Sequence, residues 1–237
     1  MVGGLLLRGM LAGILAGFLA AAFATFAGEP SIERAIAFEA AVEQAEGQPS
    51  EPEIVSRETQ RSVGLFTAAM IYGAAVGGFF GLAFAFAYGR IGGPDPRAVA
   101  AILACAGFIA IGLVPELKYP ANPPAIGAQD TLGARTALFF VMMLISVLAM
   151  VLAAMIGETL RLWLDSWNAA LAQAAVFIAM VGLAARLLPS IDEVPASFPA
   201  DVLWSFRVSA LGVQAVLWSA LGLGFGALTQ AHPIKRR

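Results

Sequence analysis

Charged side chains are scarce in this chain of 237 residues, and their scarcity excludes most kinds of soluble protein. Lys, Arg, Asp and Glu together make up 13% of the sequence, whereas about 25% is usual in soluble domains. Apolar residues make up 59%, too many for a soluble globule of this size to bury. The 16 acidic and 14 basic residues nearly cancel, so no charge excess indicates binding to nucleic acid. We expect an integral membrane protein surrounded by the lipid bilayer.

Side chains that bind metals or catalyse reactions are also few. The sequence has a single cysteine, Cys105, and a single histidine, His232. One cysteine excludes a disulfide within the chain and a cysteine cluster for zinc or iron and sulfur, and a cage of imidazoles would need a second chain. The motifs GxxxxGK[ST], HExxH and GxSxG do not occur in the sequence. We therefore expect no enzymatic activity, no catalytic residues and no tightly bound cofactor.

Six apolar segments are each long enough to cross a bilayer as a helix, which takes about 20 residues. In lipid every backbone polar group must be paired internally, so the predicted fold class is all-α, a polytopic membrane bundle of about six transmembrane helices. The spans are expected near 5–27, 63–88, 98–114, 136–157, 169–188 and 208–229, in a single membrane domain over residues 1–237. The first also has features of a secretory signal, but its length of about 23 residues exceeds the usual signal core.

The charged residues between the spans predict the orientation. An even number of spans puts both termini on one side, and the basic residues of that side are crowded into short loops and the C-terminal tail. Because short basic loops stay in the cytoplasm, both termini are predicted to be cytoplasmic. Among the carboxylates, only Asp95, Glu158 and Asp165 then lie inside. The outer loops are therefore acidic and rich in proline, and we expect the specific function of the protein there.

The first outer loop contains a predicted amphipathic helix near 31–46. Ser31 stands where an N-cap is expected, and Gly47 stands where a helix stops. Three acidic residues share one face of this helix: Glu39, Glu43 and Glu46. That face is interpreted either as an ordinary solvated surface or as an acidic collar that concentrates cations at a pore mouth.

The next two outer loops resemble each other. Each contains a PAxxPA unit, which begins at Pro120 and at Pro195, and this pattern favours three helix hairpins with Pro-rich outer loops. An arginine stands before the following span in all three outer loops: Arg61, Arg135 and Arg207. We interpret these loop anchors either as cations that extend to the membrane surface or as partners that lock the loops onto outer carboxylates. Candidate partners are Glu116, Asp192 and Asp201.

The spans contain almost no ionisable side chains, although proton- and ion-driven carriers commonly place one at mid-membrane. Glycines at four-residue spacing mark the first two spans and predict close helix packing: Gly9, Gly13, Gly17, Gly73, Gly77 and Gly81. The fourth span carries Met142, Ser146 and Met150 on one face. These methionines are interpreted either as core fillers or as soft ligands of a copper path.

The loop sequences resemble those of a known family. The resemblance lies in FAGEPSIERAIAFE after the first span, LVPELKYPANPPAIG after the third, and LPSIDEVPASFPADVLWSFRVSALG before the last. These blocks are similar to the CbtA family of probable cobalt transporter subunits, over nearly the whole chain. The resemblance implies a bacterial inner-membrane protein that transports Co²⁺ for cobalamin synthesis with a small, single-span, histidine-rich subunit, CbtB. Members are often described with five spans by hydropathy, whereas six are expected here.

The resemblance also implies that Co²⁺ is attracted to the acidic outer face. The oxygen-bearing side chains available there as metal ligands are Glu29, Glu33, Glu116, Asn122, Asp192, Glu193 and Asp201. Oxygen ligands alone select poorly among divalent metals, so selectivity is expected in the partner subunit. The alternatives that stay open are a membrane scaffold or assembly protein that does not transport, and a transporter of copper or another divalent metal.

Overall fold

The computed structural model describes residues 2–47, 54–90, 95–127 and 131–231. These residues form seven helices and no strand, which confirms the expected all-helical fold. The helices, numbered along the chain, are α1 (Val2–Ala27), α2 (Glu29–Glu46), α3 (Arg57–Ala87), α4 (Pro96–Lys118), α5 (Leu132–Leu160), α6 (Ser166–Leu187) and α7 (Ala200–Ala231).

Every helix except α2 is long and apolar enough to cross a membrane, so the prediction of six candidate spans is confirmed. Several helices extend beyond the predicted spans. The helix α3 begins six residues before the predicted start at 63, and α7 begins eight residues before 208. Hydropathy locates only the part of a helix that lies in lipid, whereas backbone hydrogen bonding continues into the polar segment beyond it.

The helix α4 also passes through Pro115, where the predicted span was expected to stop. A π-helical turn, Phe108–Leu113, directly precedes this region, and Pro115 lies in the first turn of the α-helical segment that follows. Proline has no amide hydrogen and clashes with the preceding turn of a regular helix. The wider π turn accommodates it, so the helix continues to Lys118.

The chain divides into two compact units. Unit one comprises Met1–Cys105, Asn122–Ala125 and Ala196–Arg237, and unit two comprises Ala106–Ala121 and Ile126–Pro195. Unit one thus contains α1, α2, α3, the first part of α4, and α7. Unit two contains the rest of α4 with α5 and α6.

In unit one, α1 and α3 pack backbone against backbone through their glycines. A Cβ atom added to Gly13 would lie 2.0 Å from the carbonyl oxygen of Gly73, and one added to Gly77 would lie 2.0 Å from that of Gly9. The predicted packing residues Gly17 and Gly81 are placed at the same contact. Any side chain there would have to push the helices apart, so glycine is required for this approach.

The helix α7 completes the core of unit one by packing against α1 and α3. Phe225 of α7 is fully buried and lies edge-on to Phe80 and Phe84 of α3, with ring centroids 5.2 and 4.9 Å apart. One turn earlier in α7, Gly222 lies close to Ala104 of α4, whose Cβ is 2.5 Å from the position of a Cβ added at the glycine. Aromatic and small residues therefore fill this core together.

In unit two, α5 packs against α6 and against the end of α4. The core contains Val114, Tyr119 and Met142, with Phe177 and Val181 of α6 beside them. The hydroxyl of Tyr119 donates a hydrogen bond of 2.7 Å to the carbonyl oxygen of Pro189. Packing in this core accounts for the burial of Met142, which is 1% exposed.

Candidate functional site

The helix α2 lies in the first long loop, where the sequence predicts a helix near 31–46, and it follows α1 with one residue between them. It begins at Glu29, with Pro30 in its first turn, a position that suits a residue without an amide hydrogen. The expectation that Ser31 is the N-cap is therefore wrong: its hydroxyl donates 2.7 Å to the carbonyl oxygen of Gly28. At the other end Gly47 adopts a left-handed conformation, φ 68°, as a helix stop requires.

Two ion pairs in register join α2 to the start of α3. Arg57 donates to Glu29, and Arg61 donates to Glu33 over 3.0 Å. The acidic and the basic residues are each four positions apart, so both sets lie one turn apart on their helices. The pairs differ in burial: the side chains of Arg57 and Glu29 are 28% and 12% exposed, whereas those of Arg61 and Glu33 are 50% and 54% exposed.

A third ion pair joins α2 to the start of α7. Arg34 donates a hydrogen bond of 2.5 Å to Asp201, which lies in the first turn of α7, where a negative charge is favoured by the helix dipole. Phe38 and Phe198 meet edge-on beside this pair, with centroids 5.0 Å apart. The three ion pairs and the aromatic contact hold α2 against both α3 and α7.

Two further contacts in unit one fix the ends of its helices. The guanidinium of Arg207 donates 3.0 Å to the side-chain oxygen of Asn122, and the hydroxyl of Ser209 donates 2.7 Å to the carbonyl oxygen of Ala27. The predicted metal ligand Asn122 is thus engaged by an arginine.

In unit two, Arg135 and Glu193 form an ion pair of 2.7 Å whose side chains are 23% and 13% exposed. Gly127 makes room for this pair. Its φ of 108° favours glycine, and a Cβ at this position would lie 2.1 Å from Nη1 of Arg135. The second carboxylate oxygen of Glu193, Oε1, is buried and accepts no hydrogen bond within the described part of the chain.

The structure divides the seven predicted metal ligands into two groups. Five have an arginine as their partner: Glu29, Glu33, Asn122, Glu193 and Asp201. The other two are Glu116, half-buried in the last turn of α4, and Asp192, whose Oδ1 accepts the amide of Val194 over 3.4 Å. Across residues 2–47, 54–90, 95–127 and 131–231, no three His, Cys, Asp or Glu residues come together in a group that could hold a metal ion.

Each of the three loop anchors contacts an oxygen-bearing side chain. Arg61 and Arg135 form ion pairs with the loop carboxylates Glu33 and Glu193, and Arg207 donates to the side-chain oxygen of Asn122. The pairing of Arg57 with Glu29 and of Arg34 with Asp201 is a feature that the sequence analysis missed. The matched four-residue spacing of Glu29 with Glu33 and Arg57 with Arg61 is the signal that could have revealed part of it.

Comparison with known proteins gives one match. A family model described as "Probable cobalt transporter subunit (CbtA)" matches residues 2–230, a range that includes every helix but for the last residue of α7, and all of the predicted metal ligands. This match confirms the resemblance of the loop sequences. No curated protein and no solved structure matches the chain.

Proposed function

Because the chain belongs to the CbtA family of probable cobalt transporter subunits, we propose that it moves Co²⁺ across the bacterial inner membrane to supply cobalamin synthesis. The family match is the observation that supports this proposal. The six apolar helices are each long enough to span a bilayer. Both termini lie in the cytoplasm in this proposal, so that α2 and the ion pairs around it face outward.

The proposed transporter includes a small, single-span, histidine-rich subunit similar to CbtB. The present chain has one histidine and one cysteine, so it cannot surround a metal with imidazole or thiolate ligands by itself. Carboxylates bind divalent metals with little selectivity, and Co²⁺ competes poorly with Ni²⁺ and Cu²⁺ at equilibrium. Imidazoles from the partner supply the selective ligands.

Co²⁺ capture is assigned first to Glu116 and Asp192, the two predicted carboxylate ligands without an arginine partner in the described residues. A carboxylate in an ion pair must give up its arginine before it can bind a metal, and that cost is greatest where the pair is buried. Glu29, Glu33, Asn122, Glu193 and Asp201 therefore hold the outer segments together in the state described, and offer oxygen ligands only when their arginines move away.

The test measures accumulation of radioactive cobalt in cells that express the chain together with its partner subunit. The variants Glu116→Gln and Asp192→Asn, singly and combined, should raise the Co²⁺ concentration for half-maximal uptake, several-fold in the double variant. Glu58→Gln is the matched control, because it removes one exposed carboxylate of α3 that is outside both the predicted ligand set and the acidic face of α2. Membrane levels of each variant are measured by immunoblot.

Two outcomes would contradict parts of this proposal. An unchanged half-maximal concentration in the double variant would remove the capture role of Glu116 and Asp192. Uptake that is the same in cells without the chain would favour the alternative of a scaffold that does not transport. The copper alternative predicts that Met142→Leu changes metal preference, whereas the core position of Met142 predicts a change in stability alone.

A further inference from the structure

Three large apolar side chains are exposed within six residues where α5 ends and α6 begins. Leu162, Trp163 and Trp167 are 79%, 84% and 72% exposed, and we call them the aromatic turn. The backbone here is ordered: the amides of Leu162 and Trp163 donate to the carbonyl oxygens of Thr159 and Leu160 over 3.2 and 2.9 Å. The backbone that carries Leu162 and Trp163 is therefore a hydrogen-bonded turn.

Asp165 caps the start of α6, on the C-terminal side of Leu162 and Trp163. Its Oδ1 accepts the amides of Trp167 and Asn168, both over 3.0 Å, and the side-chain amide of Asn168 donates to Oδ2 over 2.6 Å. These contacts make Asp165 the N-cap of α6. The backbone of Trp167 is thereby held in the first turn of α6, where its side chain is exposed.

The aromatic turn follows an apolar surface that already faces outward on α5. Leu152, Met155 and Ile156, in the last turns of that helix, are 45%, 63% and 39% exposed. In a membrane protein, outward apolar residues on a span face lipid. The aromatic turn begins two residues after the end of α5 at Leu160, with the polar side chains of Glu158, Thr159 and Arg161 between it and that apolar surface.

Polar groups surround the same turn without giving it a positive charge. Arg161 forms an ion pair of 3.2 Å with Glu158, and Asp165 adds a further carboxylate. The turn is thus apolar at its tip, polar at its base and not basic. That combination suits the boundary between lipid headgroups and acyl chains, where tryptophan is enriched because its ring is apolar and its N–H can still find a partner.

We propose that the aromatic turn is a lipid-binding surface that inserts Leu162, Trp163 and Trp167 into the headgroup–acyl boundary of the phospholipid bilayer and sets the depth of α5 and α6. Binding rests on burial of apolar surface. Because the ion pair of Arg161 and the charge of Asp165 leave no net positive charge nearby, insertion is equally deep in zwitterionic and in anionic bilayers.

The test uses the full chain in vesicles of phosphatidylcholine, with three of the four tryptophans replaced by phenylalanine so that a single one remains. Trp163 and Trp167 are examined in turn, and Trp218 is the matched control because it is 5% exposed inside unit one. Fluorescence quenching is compared between lipids brominated near the headgroup, lipids brominated deep in the acyl chain, and aqueous acrylamide. Circular dichroism checks that each variant remains helical.

The proposal predicts that shallow bromines quench Trp163 and Trp167 at least twice as strongly as deep bromines do, and that Trp218 responds weakly to all three quenchers. Replacing half of the phosphatidylcholine by phosphatidylglycerol should leave these ratios unchanged. Strong acrylamide quenching without lipid quenching would show that the turn lies in water and would overturn the proposal. Quenching of neither tryptophan would do the same, because the turn would then be covered by protein.

A spin label gives the same information without tryptophan changes. In the variant Cys105→Ala with Leu162→Cys, a nitroxide at position 162 should collide more often with dissolved oxygen than with a water-soluble nickel chelate. The reverse ratio would contradict insertion of the aromatic turn.

Discussion

The guanidinium of Arg57 donates a hydrogen bond to the carboxylate of Glu29, and both side chains are largely buried. This contact joins the helix α2 to the first turn of α3 across 28 residues of sequence. One turn further along, Arg61 and Glu33 repeat the arrangement in a more exposed setting. The two pairs therefore provide a matched comparison of the same chemistry at different burial.

Removing the buried pair should destabilise the protein more than removing the exposed pair. Arg57→Ala leaves the carboxylate of Glu29 buried without its cation, which costs about 3 kcal/mol in comparable cases. Arg61→Ala should cost less than about 1 kcal/mol, because solvent screens the exposed pair. Thermal unfolding of the purified protein in detergent measures the difference, and equal losses in the two variants would show that burial of the Arg57 pair has no energetic effect.

Gly127→Ala should disrupt the ion pair between Arg135 and Glu193. The new Cβ would lie 2.1 Å from the guanidinium, at a backbone φ of 108° that disfavours alanine. We expect a loss of stability of about 2 kcal/mol, and a smaller loss, from backbone strain alone, when Arg135 has already been replaced. Gly133→Ala in α5 is the control, since nothing lies within 4 Å of its Cβ position. If Gly127→Ala were as mild as this control, Gly127 would not be needed for the pair.

Gly13→Ala should separate α1 from α3. The added Cβ would lie 2.0 Å from the backbone oxygen of Gly73, and backbone cannot rotate away as a side chain can. We expect a loss of about 2 kcal/mol or more, seen as a lower yield of monodisperse protein in detergent. Gly3→Ala, also in α1 and with open space around its Cβ position, should behave like the wild type. Similar yields for both variants would contradict the close α1–α3 contact.

Asp165 should make stability depend on pH in the acid range. The backbone N–H of Asn168 is the main cause of its lowered pKa, and the side chain of Asn168 adds to the effect. A carboxyl whose pKa is lower in the folded state stabilises that state above its unfolded pKa, about 3.9, and loses this contribution as the pH falls through the folded value. The wild type should therefore lose more stability than Asp165→Asn on going from pH 5 to pH 3. Parallel losses would show that Asp165 contributes nothing through its charge.

The sequence predicts which segments are spans better than it predicts the residues at which their helices begin and end. Apolar runs identify all six candidate spans, because the bilayer requires about 20 apolar residues in each. They do not predict that α3 starts at Arg57 or that α4 passes Pro115, since helix formation outside lipid depends on capping and on local turn geometry.

The sequence alone could not predict which arginine pairs with which carboxylate in the segments that connect the spans. Arg34 and Asp201 are 167 positions apart, and Arg135 and Glu193 are 58 apart. Which carboxylate an arginine meets depends on tertiary packing, and many carboxylates in the outer loops are equally good chemical partners. The pairs between α2 and α3 could have been predicted in part, because Glu29 and Glu33 have the same four-residue spacing as Arg57 and Arg61.

In the proposed transporter, this chain forms the membrane path for Co²⁺ together with a small histidine-rich subunit. The most direct measurement uses vesicles that contain both purified proteins, each protein alone, or neither, with a fluorescent chelator inside that is quenched by Co²⁺. We predict rapid quenching after Co²⁺ is added outside only when both proteins are present, and slower quenching when Glu116 and Asp192 are neutralised. Quenching at the same rate in vesicles that lack this chain would contradict the proposal that it forms the path for Co²⁺.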